Sequence, residues 1–354
     1  MNPLQKNPIE PVLKVENLRV EFSTYGGTVK AVRGVSFDVH QGKTLAIVGE
    51  SGCGKSVTVQ SIMGLIPIPP GRVTSGSAKL DGQEILGVDK RMANQFRGKD
   101  LSMIFQDPMT SLNPTMKIGQ QITESLRIHR GYDAAKAHKR AIELLEMVQI
   151  PEAKKRVDQY AFEFSGGMRQ RAMIAMAIAC RPKVLIADEP TTALDVTTQA
   201  QILKLLKELQ KEIEMAIVLI THDLGVVAAT ADEVAVMYAG QIVESGSVDD
   251  IFYRSSHPYT LGLRGAMPRN DESHRQKLVA IEGSPPDLFN PPKGCGYFAR
   301  CPHAMEVCRN DLPEEFFVAD AHYSRCWLHH DFARGIGGGG LYKKAESDER
   351  SPRL

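Results

Sequence analysis

The stretch Gly49-Glu50-Ser51-Gly52-Cys53-Gly54-Lys55-Ser56 decides the reading of this chain, because it satisfies the phosphate-binding pattern G-x-x-x-x-G-K-[ST] at every required position. It follows the apolar run Leu45-Ala46-Ile47-Val48, which predicts a buried strand. It opens a helical pattern expected from Lys55 to about Ile66, stopped by Pro67. Glycines at 49, 52 and 54 let the backbone fold into a concave loop of inward N–H groups, and the following helix adds the positive end of its dipole. Such a socket suits polyphosphate. Lys55 can reach β- and γ-phosphates and the Ser56 hydroxyl can ligate Mg²⁺, so the loop points to a nucleoside triphosphate.

Further along, Val184-Leu185-Ile186-Ala187 predicts a buried strand of a parallel sheet, with Asp188 and Glu189 emerging at its C-terminal end, where open α/β sheets bind ligands. Asp188 is suited to holding Mg²⁺ through water and Glu189 to polarising an attacking water. A second buried strand, Ala216-Ile217-Val218-Leu219-Ile220, ends in Thr221-His222-Asp223, which brings His222 to the same edge as a candidate functional group. Leu101–Phe105 predicts another strand ending at Gln106, a position from which a glutamine can sense a bound metal or water. Phe164-Ser165-Gly166-Gly167-Met168-Arg169-Gln170-Arg171 opens a helix reaching Cys180. Ser165 there is either a plain N-cap or part of a second, lysine-free anion site with Gly166 and Gly167.

Around these motifs, residues 12–22 and 35–39 alternate as half-buried strands, and the turn between them carries Tyr25, either a base-stacking ring or a surface tyrosine. Hairpins are expected at 77–86, through Asp81-Gly82, and at 233–246. From Ile118 to about Val148 the pattern is helical, with Ala137, Ala141, Leu144, Leu145 and Val148 on one face, which reads as an inserted helical subdomain. The 354 residues suggest two domains, or one with an appendage, and a net charge of +1 counts against a nucleic-acid partner. No run approaches the roughly 18 apolar residues needed to cross a bilayer, and the N-terminus lacks the apolar core of a signal peptide.

Taken together, G-E-S-G-C-G-K-S, Gln106, F-S-G-G-M-R-Q-R, V-L-I-A-D-E-P, A-L-D and T-H-D in this order resemble an ATP-binding-cassette (ABC) ATPase over residues 12–260. The resemblance implies an α/β fold with a mostly parallel core sheet, an antiparallel β subdomain and a helical subdomain at about 107–180. It also implies a dimer that sandwiches two ATP molecules, each held by one subunit's phosphate loop and by the other's equivalent of Ser165-Gly166-Gly167. It implies ATP contacts from Tyr25, Gly49, Ser51, Gly52, Cys53, Gly54, Lys55, Ser56, Val57 and Gln106, with Ser56, Gln106 and Asp188 serving Mg²⁺. In the family Glu189 is the general base, His222 contacts the γ-phosphate and Asp195 lies at the dimer contact.

Residues 256–326 resemble the C-terminal extension of the ATPases that drive oligopeptide, dipeptide and nickel importers, which divides the chain into 1–260, 261–334 and a glycine-rich mobile tail, 335–354. Within it Cys295, Cys301, Cys308 and Cys326 run C-x5-C-x6-C-x17-C, and a reducing compartment makes a metal site more apt than disulfides. The resemblance implies a [4Fe–4S] cluster there; the alternative is Zn²⁺ with His303, His322 or His329 as a substitute ligand. The implied function is ATP hydrolysis driving peptide uptake on the cytoplasmic face of the inner membrane. The implied partners are a second, paralogous ATPase, two permease subunits and an extracytoplasmic binding protein. The alternative from another class is a soluble ABC ATPase acting on nucleic acid or ribosomes.

Overall fold

The computed structural model describes residues 10–192, 194–267 and 281–334; the expected mobile tail and the first nine residues lie outside them. By packing, the chain divides into two units, Met1–Ile242 with Asp287–Pro291, and Val243–Pro286 with Pro292–Leu354. The division falls before the expected boundary at 260, and a short segment, Asp287–Pro291, returns to the first unit from within the second stretch of sequence.

In the first unit the hairpin β1 (Leu13–Thr24) and β2 (Gly27–Val39) precedes the wholly buried β3 (Thr44–Val48). β4 (Gly71–Leu80) pairs antiparallel with β1, and the two-residue β5 (Gln83–Glu84) follows it through Asp81 and Gly82 at φ 47° and 76°. β6 (Leu101–Ile104), β7 (Val184–Asp188), β8 (Ala216–Thr221) and β9 (Glu233–Tyr238) join β3 in a parallel array ordered β9-β3-β8-β7-β6. The strands of this array are nearly all apolar because both faces are covered. Along β7 the side chains alternate between two cores. Leu185 and Ala187 pack with the helical residues Ile122, Leu144 and Ile174, whereas Val184 and Ile186 pack with Val15, Val20 and Val59.

The helix after the phosphate loop spans Lys55–Ile62 and stops short of the expected Ile66, because Gly64 takes the left-handed φ of 59°. The inserted helices are Ile118–Arg130 and Ala134–Met147, broken at Gly131 (φ 62°) and restarted by Asp133, whose side chain accepts from the Lys136 N–H. Ala137, Ala141, Leu144, Leu145 and Val148, the apolar face expected from the 3.6-residue period, are all fully buried.

β10 (Gln241–Ser247) runs from the first unit into the second, where it pairs with β12 (His322–Ser324), and β12 pairs with β11 (Phe316–Ala319). Its Glu244 explains the early boundary. The buried carboxylate accepts from the Ser256 N–H (2.6 Å), the Ser256 hydroxyl (2.9 Å), the His257 N–H (3.0 Å) and His322 Nε2 (2.8 Å). Burial alone would raise its pKa, but these donors hold it below the usual carboxylate range. Removing His322 would take one of four donors from that buried charge, so His322→Leu is expected to destabilise the second unit by about 1–3 kcal/mol in denaturant unfolding. An unchanged midpoint would show the His322–Glu244 hydrogen bond to be energetically idle.

Candidate active site

Register decides which side chains meet. Val48 on β3 stands opposite Thr221 on β8, Ile220 on β8 opposite Asp188 on β7, and Ala187 on β7 opposite Ile104 on β6. The phosphate loop, Gln106, Glu189 and His222 therefore all leave the array at its C-terminal edge.

There the Ser56 hydroxyl donates to Asp188 Oδ1 at 2.9 Å, which joins the phosphate loop to the acidic strand end. The buried Lys55 ammonium donates to the carbonyls of Gly49 (2.8 Å) and Glu50 (3.0 Å), so the charge sits inside its own loop. Burial raises the Asp188 pKa and the neighbouring Glu189 charge adds to this, while Ser56 and Lys55 pull it back. Glu189 Oε2 accepts from Gln106 Nε2 and from the Thr192 hydroxyl, each at 2.9 Å, and Oε1 lies 3.3 Å from His222 Nδ1. Three side chains from three segments thus aim one carboxylate. Its backbone adopts the left-handed φ of 45°, secured by the Glu189 N–H bond to the Ile220 carbonyl at 3.0 Å. Thr192 was not among the sequence candidates, since nothing marks a threonine three residues after a glutamate.

The loop glycines are required by close approach. At Gly54 (φ 104°) a Cβ would strike the Ala31 carbonyl of β2, and at Gly49 (φ 155°) it would strike the Met237 carbonyl of β9. Cys53 is buried beneath the loop, Ser51 and Gly52 are exposed on its rim, and Val57 is half-buried against the core. Tyr25 stands fully exposed in the β1–β2 turn.

Ser165 N-caps the helix Gly166–Ile178, its hydroxyl accepting from the Met168 N–H at 3.3 Å, and both Ser165 and Gly166 are exposed. Asp195 caps the next helix, Val196–Ile213, accepting from the Thr198 N–H (3.0 Å) and hydroxyl (2.7 Å). The two helix starts are neighbours: a Cβ on Gly167 would lie 3.1 Å from Thr198 Cγ2. They form an exposed polar surface.

Residues 32–192 match the family model described as ABC transporter. Residues 243–308 match the oligopeptide/dipeptide transporter C-terminal region. The oligopeptide transport ATP-binding protein OppD of Bacillus subtilis (strain 168) is 57% identical over 319 residues, covering 90% of this chain and 89% of the relative. The chain belongs to the ABC transporter family. The dipeptide transport ATP-binding protein DppD of the same organism is 54% identical, covering 90% of this chain and 95% of the relative. OppD of Escherichia coli (strain K12) is 51% identical, covering 89% and 93%. Among solved structures, the ATP-binding cassette MJ0796, as a dimer in a post-hydrolysis state bound to ADP and Pi, superposes with a TM-score of 0.60 at 26% identity, over 67% of this chain and 98% of that one. No helix among the described residues is long and apolar enough to cross a membrane.

In this ABC protein's second unit, Cys295, Cys301, Cys308 and Cys326 line one cavity together with His257, His303 and Tyr297. Burial pushes the Cys295 thiol up to about 11 and Cys326 to about 12, and the neighbouring thiols add to both. Among the described residues no group of three or more His, Cys, Asp or Glu is drawn together as a site for a metal ion. Of the histidines considered as substitute ligands, only His303 lines the cavity. His322 is committed to Glu244, and His329 Nε2 lies 3.0 Å from the Ser256 carbonyl. His257 is not among the sequence candidates, although S-H-P-Y opens the stretch that carries the C-terminal resemblance.

Proposed function

We infer that this chain is the ATP-hydrolysing, energy-coupling subunit of an ABC peptide importer. The observation that carries the reading is the meeting of Ser56, Asp188, Glu189, Gln106 and His222 at one sheet edge, in a chain whose C-terminal region matches that of oligopeptide/dipeptide transporters. The phosphate loop and Lys55 bind the triphosphate, and Glu189 takes a proton from the attacking water as its oxygen bonds to the γ-phosphorus. The bond to the β-bridging oxygen breaks, leaving ADP and phosphate. Gln106 and Thr192 fix the carboxylate, and His222 is positioned toward the γ-phosphate. Ser56, Asp188 and Gln106 are the groups suited to Mg²⁺, which when bound neutralises phosphate charge.

A helix start without a lysine, exposed at Ser165 and Gly166 and flanked by Asp195, suits a site completed in trans. The working unit is accordingly a nucleotide-sandwich dimer, with a paralogue as partner, on the cytoplasmic face of two membrane permease subunits fed by an extracytoplasmic binding protein. The reading as a nucleic-acid or ribosome ATPase has no support from the relatives. The test is reconstitution with permease subunits in proteoliposomes. Peptide-loaded binding protein should stimulate phosphate release, and turnover indifferent to peptide would remove the importer assignment.

Four thiols lining one cavity also suit a [4Fe–4S] cluster, an all-thiolate ligand set whose metal charge would reverse the raised thiol pKa values. Anaerobically purified protein is expected to carry about four irons and four acid-labile sulfides per chain, lost in Cys308→Ser. Zinc in place of iron would select the alternative.

A further inference from the structure

We propose that Phe289 supplies an aromatic contact for the adenine of bound ATP, paired with Tyr25 across the β1–β2 turn. The inference rests on the nucleotide reading above and adds to it a residue from the C-terminal region, since Phe289 lies within the 243–308 match.

Asp287–Pro291 packs with the cassette although the residues on either side of it belong to the second unit. Its attachment is specific. The Leu288 carbonyl accepts from the Lys30 N–H of β2 at 2.9 Å, and Phe289's own N–H donates to Asp287 Oδ1 at 2.9 Å, closing a local turn. Pro285, Pro286 and Pro292 flank it and Pro291 ends it, and together they limit the chain entropy lost in holding it.

The Phe289 ring covers the two glycines of the turn. A Cβ on Gly26 would lie 3.7 Å from Cε1 and one on Gly27 3.8 Å from Cδ1, so the ring lies within van der Waals reach of the side-chain positions of both glycines. Yet Phe289 remains 44% exposed, and Tyr25, one residue before those glycines, is fully exposed. Two large aromatic residues, one in the turn and one against its glycines, thus leave π-surface open to solvent, the surface on which bases stack.

The turn is also continuous with the phosphate site. Ala31, one residue from the Lys30 anchor, presents its carbonyl directly against Gly54 of the loop. From Ala31 back to Gly27 the strand covers about 13 Å, a span comparable to an extended nucleoside triphosphate. A nucleotide with its phosphates on Gly49–Ser56 can therefore present its base to Tyr25 and Phe289. Neither a sugar nor a peptide has a flat π-surface anchored at that distance from a triphosphate.

The test is equilibrium binding of ADP, GDP and inorganic tripolyphosphate to the full chain. Phe289→Ala and Phe289→Leu should each weaken ADP roughly 10-fold and leave tripolyphosphate unchanged, while Phe289→Tyr keeps ADP affinity. Leucine preserves the packing on the glycines but has no ring, so a merely structural role predicts rescue by Leu. ADP affinity within about twofold of wild type in Phe289→Ala, rescue by Leu, or equal weakening of tripolyphosphate would each overturn the proposal. The parallel variant Tyr25→Ala keeps the two readings apart. If it weakens ADP while Phe289→Ala does not, the turn still binds the base and only Phe289's part fails. Wild-type protein that binds neither ADP nor tripolyphosphate would refute the nucleotide reading itself.

Discussion

Replacing Glu189 by glutamine is expected to slow ATP turnover by a factor on the order of a hundred or more while leaving ATP bound. The amide has the same size, and its oxygen can still accept from Gln106 and Thr192, whose bonds of 2.9 Å aim the wild-type carboxylate. What is lost is a site for the water's proton. Asp188 moreover loses the like charge that helps raise its pKa, so the metal-side contacts should not weaken. The expected result is an ATP-loaded dimer that accumulates on size-exclusion chromatography with phosphate release nearly abolished. Undiminished release would remove Glu189 from the role of base.

A second large effect is expected at Gly166, whose side-chain position opens onto free space. A Cβ on Gly166 meets no atom within 4 Å, so Gly166→Asp should fold normally and bind ATP at its own phosphate loop unaltered. If the helix start beginning at Ser165 completes a neighbour's site, the new carboxylate confronts the γ-phosphate of that neighbour's ATP and sets one anion against another. Turnover of the assembled transporter should fall about a hundredfold or more, the scale of removing one preorganised contact to transition-state charge. Gly166→Ala, with the same backbone and no charge, should retain most activity. Full turnover in Gly166→Asp would mean that the site is complete within one chain.

Much of this site could be read from residue order, because parallel strands obey a simple rule. Once β3, β7 and β8 are recognised as apolar runs, whatever follows each of them lies at one edge, and that rule brings Lys55, Asp188, Glu189 and His222 together. Gln106 follows by the same logic from β6. The rule does not supply the contacts made across sequence. Nothing local tells that Glu189 takes a left-handed backbone or that Thr192 reaches back to it. His322 looked free to ligate a metal, but its partner Glu244 lies on β10, far away in sequence, and the same glutamate moves the unit boundary ahead of 260. Proline is a conspicuous stop and carries the expected Lys55 helix to Ile66, whereas Gly64 ends it four residues earlier by conformation alone.

The return of Asp287–Pro291 to the cassette bears on how such proteins can be cut and recombined. A truncation placed at the unit boundary after Ile242 would discard a peptide that the remaining fragment uses to cover Gly26 and Gly27. Chimeras between relatives should work best when the donor of the 23–30 turn also donates 287–291, however distant the two are in the gene. Exchanging either segment alone should lower the stability of the chimera more than exchanging both together.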